Sequence, residues 1–336
     1  MLNKNSSKNT YLGLILFVLS IAAFLLAFLL GSSGVSLKEL ISLLNGNAEA
    51  SVYTIFITLR LPRALLAFVS GGALSIAGAC LQGMFKNPMA DSYVVGVSSG
   101  AALGATIALS FGLAFSFIGF GAVTILAFIG GVGAIFIVYT IAKVKGKVST
   151  FSLLLSGIAI SSLCTALIYC MMILFRDKME HIVMWTMGSF SASSWDKVFV
   201  AVPIMLVSSL LCYLYAKDLN IMLQGDEAAR HLGVNTVKVR RNLLILTSVA
   251  AASAVSVSGI IGFVGLIIPH IIRIISGPDH KKLLPLSFVG GGAFLLIADT
   301  LARVLLNSQE IPVGVITALV GVPFFLYLLR KGRKTI

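Results

Sequence analysis

KDLNIMLQGDEAARHLGVNTVKVRR, residues 217–241, interrupts a run of apolar segments in a 336-residue chain of which only 11% is charged. No later stretch is so polar for so long. Locally it reads as a short capped helix. Asp226 is placed to accept from free N–H groups at a helix start, and Glu227 suits the positive end of the dipole. Arg230 and His231 suit the negative end, and Gly233 the left-handed position beyond the last turn. Asn235 is placed to cap a second short helix running into Lys238, Arg240 and Arg241. Leu223, Ala228 and Leu232 give the segment an apolar face. Taken alone, this pattern fits either a solvated loop between two membrane helices or a docking element for a soluble partner.

The remainder of the chain supplies the setting. It is 58% hydrophobic with a mean hydropathy of +1.03, whereas soluble domains run near 45–50% apolar and about 25% charged. This composition predicts an all-α polytopic membrane protein. The net charge of +13 does not point to nucleic acid, because no folded soluble domain carries it; surplus Lys and Arg in a membrane protein mark cytoplasmic loops. Cys80, Cys164, Cys170 and Cys212 lie in apolar runs without metal-ligand spacing and read as small buried hydrophobes. The first run, 11–30, exceeds the 7–15 residues of a signal-peptide core and reads as the first span.

Further runs fall at 62–81, 93–111, 117–142, 151–175, 198–216, 242–275, 283–305 and 312–329. As a single helix 242–275 would be about 50 Å long, against a hydrocarbon core of about 30 Å. Gly259, Gly262, Gly265 and Pro269 predict a break in its second half: a full span to about Phe263, then a short one returning to His270 and Arg273. About ten transmembrane helices result. With the N-terminus inside, eighteen of the twenty-five Lys and Arg fall on the cytoplasmic side, among them Lys86, Lys143, Lys145, Lys147, Lys281, Lys282 and the tail from Arg330. The expected organisation is a cytoplasmic tail over 1–10, one transmembrane domain over 11–330 and a second tail over 331–336. The polar segment faces the cytoplasm with both termini.

Small residues recur at four-residue spacing: Gly96, Gly100 and Gly104, and again Gly71, Ser75 and Ala79. Such faces serve close helix packing or leave room along a pore. Ser98, Ser99, Ser156, Ser161, Ser162 and Thr165 would suit the pore. No Asp, Glu, Lys or Arg sits near a span's midpoint; Asp299 lies toward one end. Ion-driven carriers place ionisable or unwound sites at mid-depth, so a secondary transporter is the weaker reading. No P-loop, HExxH or GxSxG occurs, and no catalytic or metal-binding residue is expected.

Several of these residues resemble a known family. Glu227-Ala228-Ala229 followed by Gly233 is similar to the loop by which importer permeases seat in an ATP-binding-cassette (ABC) ATPase. The string Gly225-Asp226-Glu227-Ala228-Ala229-Arg230-His231-Leu232-Gly233 resembles more closely the FecCD-type permeases for iron chelates (siderophore or haem) and vitamin B12. So do Arg60-Leu61-Pro62-Arg63, the 82–89 stretch with Asn87-Pro88-Met89, Val95-Gly96-Val97-Ser98, Gly262-Phe263-Val264-Gly265-Leu266 with Pro269-His270, and Ile311-Pro312-Val313-Gly314. Together they cover about residues 60–329 in the family's order. Two departures are visible. An Ile-x-Leu-Pro after the loop is absent, and Asp226 stands where many relatives have Glu.

The resemblance implies a type II ABC importer permease fold and no enzyme activity in this chain. It implies a second permease chain, identical or homologous, two cytoplasmic ATPase subunits that bind ATP and Mg, and an extracytoplasmic solute-binding protein. No cofactor is expected on this chain. The implied cargo is an iron-siderophore or related iron chelate, with cobalamin or haem as the alternative. Gly225, Asp226, Glu227, Ala228, Ala229, Arg230, Leu232 and Gly233 would couple to the ATPase. Arg60, Arg63 and Arg303 would dock the binding protein. Asn87, Pro88 and Met89 with Ser149 and Thr150 would form the inner gate. For the arginines a local reading also stands: Asp299 and Arg303, four apart, can pair, and the others can snorkel to headgroups.

Overall fold

The computed structural model describes residues 2–31, 37–46, 48–91, 95–117, 119–144, 147–306 and 309–332. Asn47, Tyr93, Lys145, Arg333 and Lys334 lie outside the described residues. The chain is a bundle of helices: α1 (Leu2–Leu29), α2 (Leu37–Leu44), α3 (Ala50–Tyr53), α4 (Leu61–Phe85), α5 (Val97–Ser110), α6 (Ala122–Ala142), α7 (Thr150–Leu174) and α8 (Met179–Thr186). There follow α9 (Trp195–Leu214), α10 (Ala216–Met222), α11 (Asp226–His231), α12 (Thr236–Ser258), α13 (Val264–Ser276), α14 (His280–Val304) and α15 (Val313–Gly332). Two small antiparallel hairpins close turns between helices: β1 (Ser116–Phe117) with β2 (Phe120–Gly121), and β3 (Lys143–Val144) with β4 (Lys147–Val148). Among the described residues seven helical stretches are long and apolar enough to cross a membrane, and α5, α13 and residues 313–327 of α15 are shorter apolar helices. Helix α1 runs back to Leu2, so the expected N-terminal tail continues the first helix.

The second apolar run starts earlier than its sequence suggests. Helix α3, a π-helical segment Thr54–Arg60 and α4 form one continuous stretch, Ala50–Phe85. Arg60 therefore ends the π segment inside a helix and does not precede one. The indole of Trp195 donates to the Ile57 carbonyl at 2.9 Å within that wide turn. From Val69 to Phe85 every residue of α4 is buried, and α9, α12, α13 and α14 surround it.

The small-residue faces are packing faces. A Cβ at Gly71 would overlap the Gly291 carbonyl of α14, and one at Gly78 the Gly265 carbonyl of α13. Gly100 and Gly104 meet α6 at Gly130 and Leu126 in the same way. Close backbone approach gives these helices dispersion contact where lipid offers no hydrophobic drive. Ser98, Ser99 and Ser156 are buried, while α7 turns an apolar face with Phe151, Leu155 and Leu163 outward. Cys80, Cys164 and Cys212 are buried as expected; Cys170, also on α7, is exposed.

The break in 242–275 is present. The first span ends at Ser258, five residues sooner than expected, and 259–263 is non-helical, with Gly259 at φ 71° and Phe263 at φ 69°. Ser258 O accepts from Ser189 N at 2.7 Å, which satisfies a carbonyl the broken helix leaves free. Helix α13 is then only 13 residues, about 20 Å. Its Pro269 has no N–H for the carbonyl of Gly265, four residues back. Gln82 on α4 supplies the donor: Nε2 reaches Gly265 O at 3.2 Å and Leu266 O at 3.1 Å, while Oε1 accepts from Arg273 Nη1 at 2.8 Å.

Candidate functional site

The polar segment folds into α10, α11 and the first turns of α12. Asn220 of α10 fixes it to the membrane helices. Its Nδ2 donates to Asp279 Oδ1 at 2.6 Å, and its Oδ1 accepts from the His280 N–H at 2.8 Å, at the start of α14. Helix α11 is six residues, too short to hold itself by propensity, so its ends and neighbours must fix it. Gly225 precedes it at φ 125°, and Gly233 follows at φ 81°, the left-handed stop expected there. The expected Asp226 cap is not formed. Asp226 is the first helical residue, and its Oδ1 instead receives Arg240 Nη2 at 2.9 Å, clasping α11 to α12. Asn235 caps as expected, Oδ1 accepting from Lys238 N at 3.0 Å, but the helix it starts is no short one: α12 continues into the membrane to Ser258.

Burial separates the inner from the outer face of α11. Ala229 is fully buried against the bundle. Leu223 is exposed, Ala228 half-buried, and Leu232 is 61% exposed, with Glu227, Arg230 and His231 also at the surface. Leu223 and Leu232 of the apolar face anticipated in the sequence are thus left uncovered among the described residues.

At the opposite end of the bundle the three arginines converge. Arg63 grips Asp299 with two parallel contacts of 2.9 Å, Nε to Oδ2 and Nη2 to Oδ1. Its Nη1 reaches Glu310 Oε1 at 3.1 Å. Arg303 lies one turn from Asp299, Nε to Oδ2 3.5 Å, so the pairing four apart expected from the sequence is present. Arg303 Nη2 also donates to Ala27 O at 3.2 Å, and Arg60 Nη1 donates to Phe28 O. Helix α1 ends at Leu29, so those carbonyls lack intrahelical partners, and cations suit that end of its dipole. Arg60, Arg303 and Asp299 are all nearly inaccessible, and Glu310 is exposed. The salt bridge from Arg63 to Asp299 spans 236 residues, and nothing in the local sequence signals it.

The proposed gate residues each have local work. Asn87 Oδ1 accepts from Met89 N at 2.9 Å, an Asx turn that follows Lys86 at φ 50°. Pro88 and Met89 are exposed. Ser149 Oγ accepts from Ser152 N at 3.0 Å and caps α7, whose first residue is Thr150. Gln82 was missed in the sequence reading although it lies in the 82–89 stretch; the unpartnered carbonyl that Pro269 leaves behind was the available signal.

Comparison with known proteins fits this geometry. The chain is 47% identical over 273 residues to the cobalamin import system permease protein BtuC of Halobacterium salinarum, covering 81% of this chain and 72% of that one. It is 39% identical over 328 residues to the hemin transport system permease protein HmuU of Yersinia pestis, covering 96% of each. A solved structure described as an inward-facing ABC transporter of metal-chelate type superposes with a TM-score of 0.84 at 31% identity, over 94% of this chain and 97% of that one. The fold is that of a type II ABC importer permease. A model of the FecCD transport family matches residues 18–331, and the chain belongs to that family of transport permeases.

Proposed function

We propose that this chain is the membrane subunit of an ABC importer that carries an iron-siderophore or related iron chelate across the cell membrane. A separate ATPase pair supplies the energy, and an extracytoplasmic binding protein supplies the cargo. The observation that carries the mechanical part is the outward apolar face of Leu223 and Leu232 flanking α11, which the Asp226–Arg240 pair clasps to α12 and Asn220 ties to the start of α14. A charged knob with exposed leucines suits a groove on a soluble motor. Residues 225–233 form that contact in this reading.

With α1, the stretch Ala50–Phe85 and the helices after it taken as successive crossings, the three short helices bring the count to ten. Both termini and the knob then face the cytoplasm, in keeping with the Lys and Arg distribution. The Arg60, Arg63 and Arg303 cluster lies at the outer surface, where a carboxylate of the binding protein would displace exposed Glu310 from the Nη1/Nη2 edge of Arg63. Asn87–Met89 and Ser149-Thr150 lie at the inner mouth of a pathway shared with a second permease chain. Cobalamin or haem is the second reading of the cargo, supported by the relatives named for those compounds.

Reconstitution with the native ATPase and binding protein in vesicles tests the whole. Uptake should stop when ATP is withheld and continue when ion gradients are collapsed; the reverse would select a secondary carrier. Metal analysis with an absorption spectrum of the copurified binding protein decides the cargo: iron without a porphyrin Soret band supports the leading reading, and a Soret band or cobalt overturns it.

A further inference from the structure

We propose that the face shared by α9 and α12 binds one anionic phospholipid, with an acyl chain in a groove between the helices and the phosphate on Lys238 and Arg241. Two cavities of about 330 Å³ and 300 Å³ lie end to end on this face and share Leu211 and Leu246 as wall residues. They form one groove. Pro203, Val207 and Val249 line its deep end, and Tyr215 and Asn242 close the other.

Length argues for a lipid chain. From Pro203 to Leu214 α9 advances eleven residues, about 17 Å. Half of a hydrocarbon core of about 30 Å is close to that, so the groove matches one leaflet. Its polar end is built as a boundary: Asn242 Nδ2 donates to the Tyr215 hydroxyl at 2.8 Å, and an amphipathic tyrosine suits the headgroup level.

Charge selects the headgroup. On α12, Lys238, Asn242, Leu246 and Val249 follow one another at three- and four-residue steps and so share a stripe. Arg241 lies one turn before Ile245 on the adjoining stripe. Arg240 is turned away to Asp226, but Lys238 and Arg241 are exposed and take part in no ion pair among the described residues. Among the described residues the Arg241 guanidinium hydrogen-bonds only to the Asn242 amide oxygen, at 3.4 Å. Two free cations where an apolar groove ends fit a phosphate that carries no compensating cation of its own.

Native mass spectrometry of the purified full-length chain tests this, with phosphatidylglycerol and phosphatidylcholine of identical acyl chains as probes. Phosphatidylglycerol should be retained at roughly tenfold lower concentration. The double variant Lys238→Gln/Arg241→Gln should lose that preference and keep a residual, headgroup-blind retention. Leu211→Trp, which fills the groove, should lower retention of both lipids. Equal retention of the two lipids by the unaltered chain overturns the proposal, as does a preference that survives in a double variant of unchanged helical content.

Discussion

Gln82 shows how much one side chain can settle. It supplies the donor that Pro269 cannot, and its oxygen holds Arg273, so α4 and α13 are joined at both ends of one amide. Gln82→Leu leaves a buried carbonyl and a buried guanidinium short of partners, a cost of about 1–3 kcal/mol. Denaturant unfolding of the purified chain should show that loss, and Gln82→Glu, which keeps the acceptor, should also destabilise through the missing donor. Ala229 carries a second lesson at this scale. Its place in the family-like motif suggests contact with the ATPase, yet it is buried on the inner face of α11. Ala229→Arg should therefore unfold the knob, seen as protease cleavage within 217–241. Leu232→Glu should leave the knob intact and abolish ATPase binding; intact binding in that variant would remove the outward face from the coupling surface.

Among the elements, α1 and the arginine cluster depend on each other. The arginines that defy the charge rule of the rest of the chain fill the carbonyl end of α1 and surround Asp299. Removing one partner of a buried ion pair costs about 3–5 kcal/mol, because the other charges stay behind. Asp299→Asn should lower thermal stability by that order. Glu310 is exposed and its bond to Arg63 is worth about 1 kcal/mol or less, so Glu310→Gln should leave stability nearly unchanged. If Arg63 docks the binding protein, Glu310→Gln should also tighten docking, since Glu310 occupies the edge an incoming carboxylate needs. Unchanged affinity in Glu310→Gln would separate the two carboxylates' roles. Elements that depend on local spelling were legible in the sequence: the Gly233 stop, the Asn235 cap, the break before Val264. Those made by distant partners were not. The Asp226 cap gave way to Arg240 fourteen residues on, and the π segment before α4 has no signature in its apolar run.

For the whole molecule, hydropathy sufficed for the class of fold, while the depth of each helix in the bundle came only from packing. Periodicity could not tell α4, buried all round, from α7, largely exposed, because both are apolar all round. Orientation is open to direct measurement. In a background with exposed Cys170 replaced by Ser, a cysteine at Phe117 should react with an impermeant maleimide on intact cells, and one at Asn235 only after permeabilisation. Labelling of Asn235 from outside would invert the proposed topology.

The glycine contacts of α4 have a consequence for how this gene can drift. Where Gly71 and Gly78 touch the carbonyls of α14 and α13, even one methyl group collides with backbone, which has no rotamer to yield. Those positions are spelled in an alphabet of one letter. The outward face of α7 is spelled in a larger one, since Phe151, Leu155 and Leu163 stand exposed among the described residues. A saturation library scored for membrane accumulation should read as near silence along α4 and as noise along α7. The central helix would then be the slowest-changing text in the chain, and its vocabulary would be set by its neighbours' backbones.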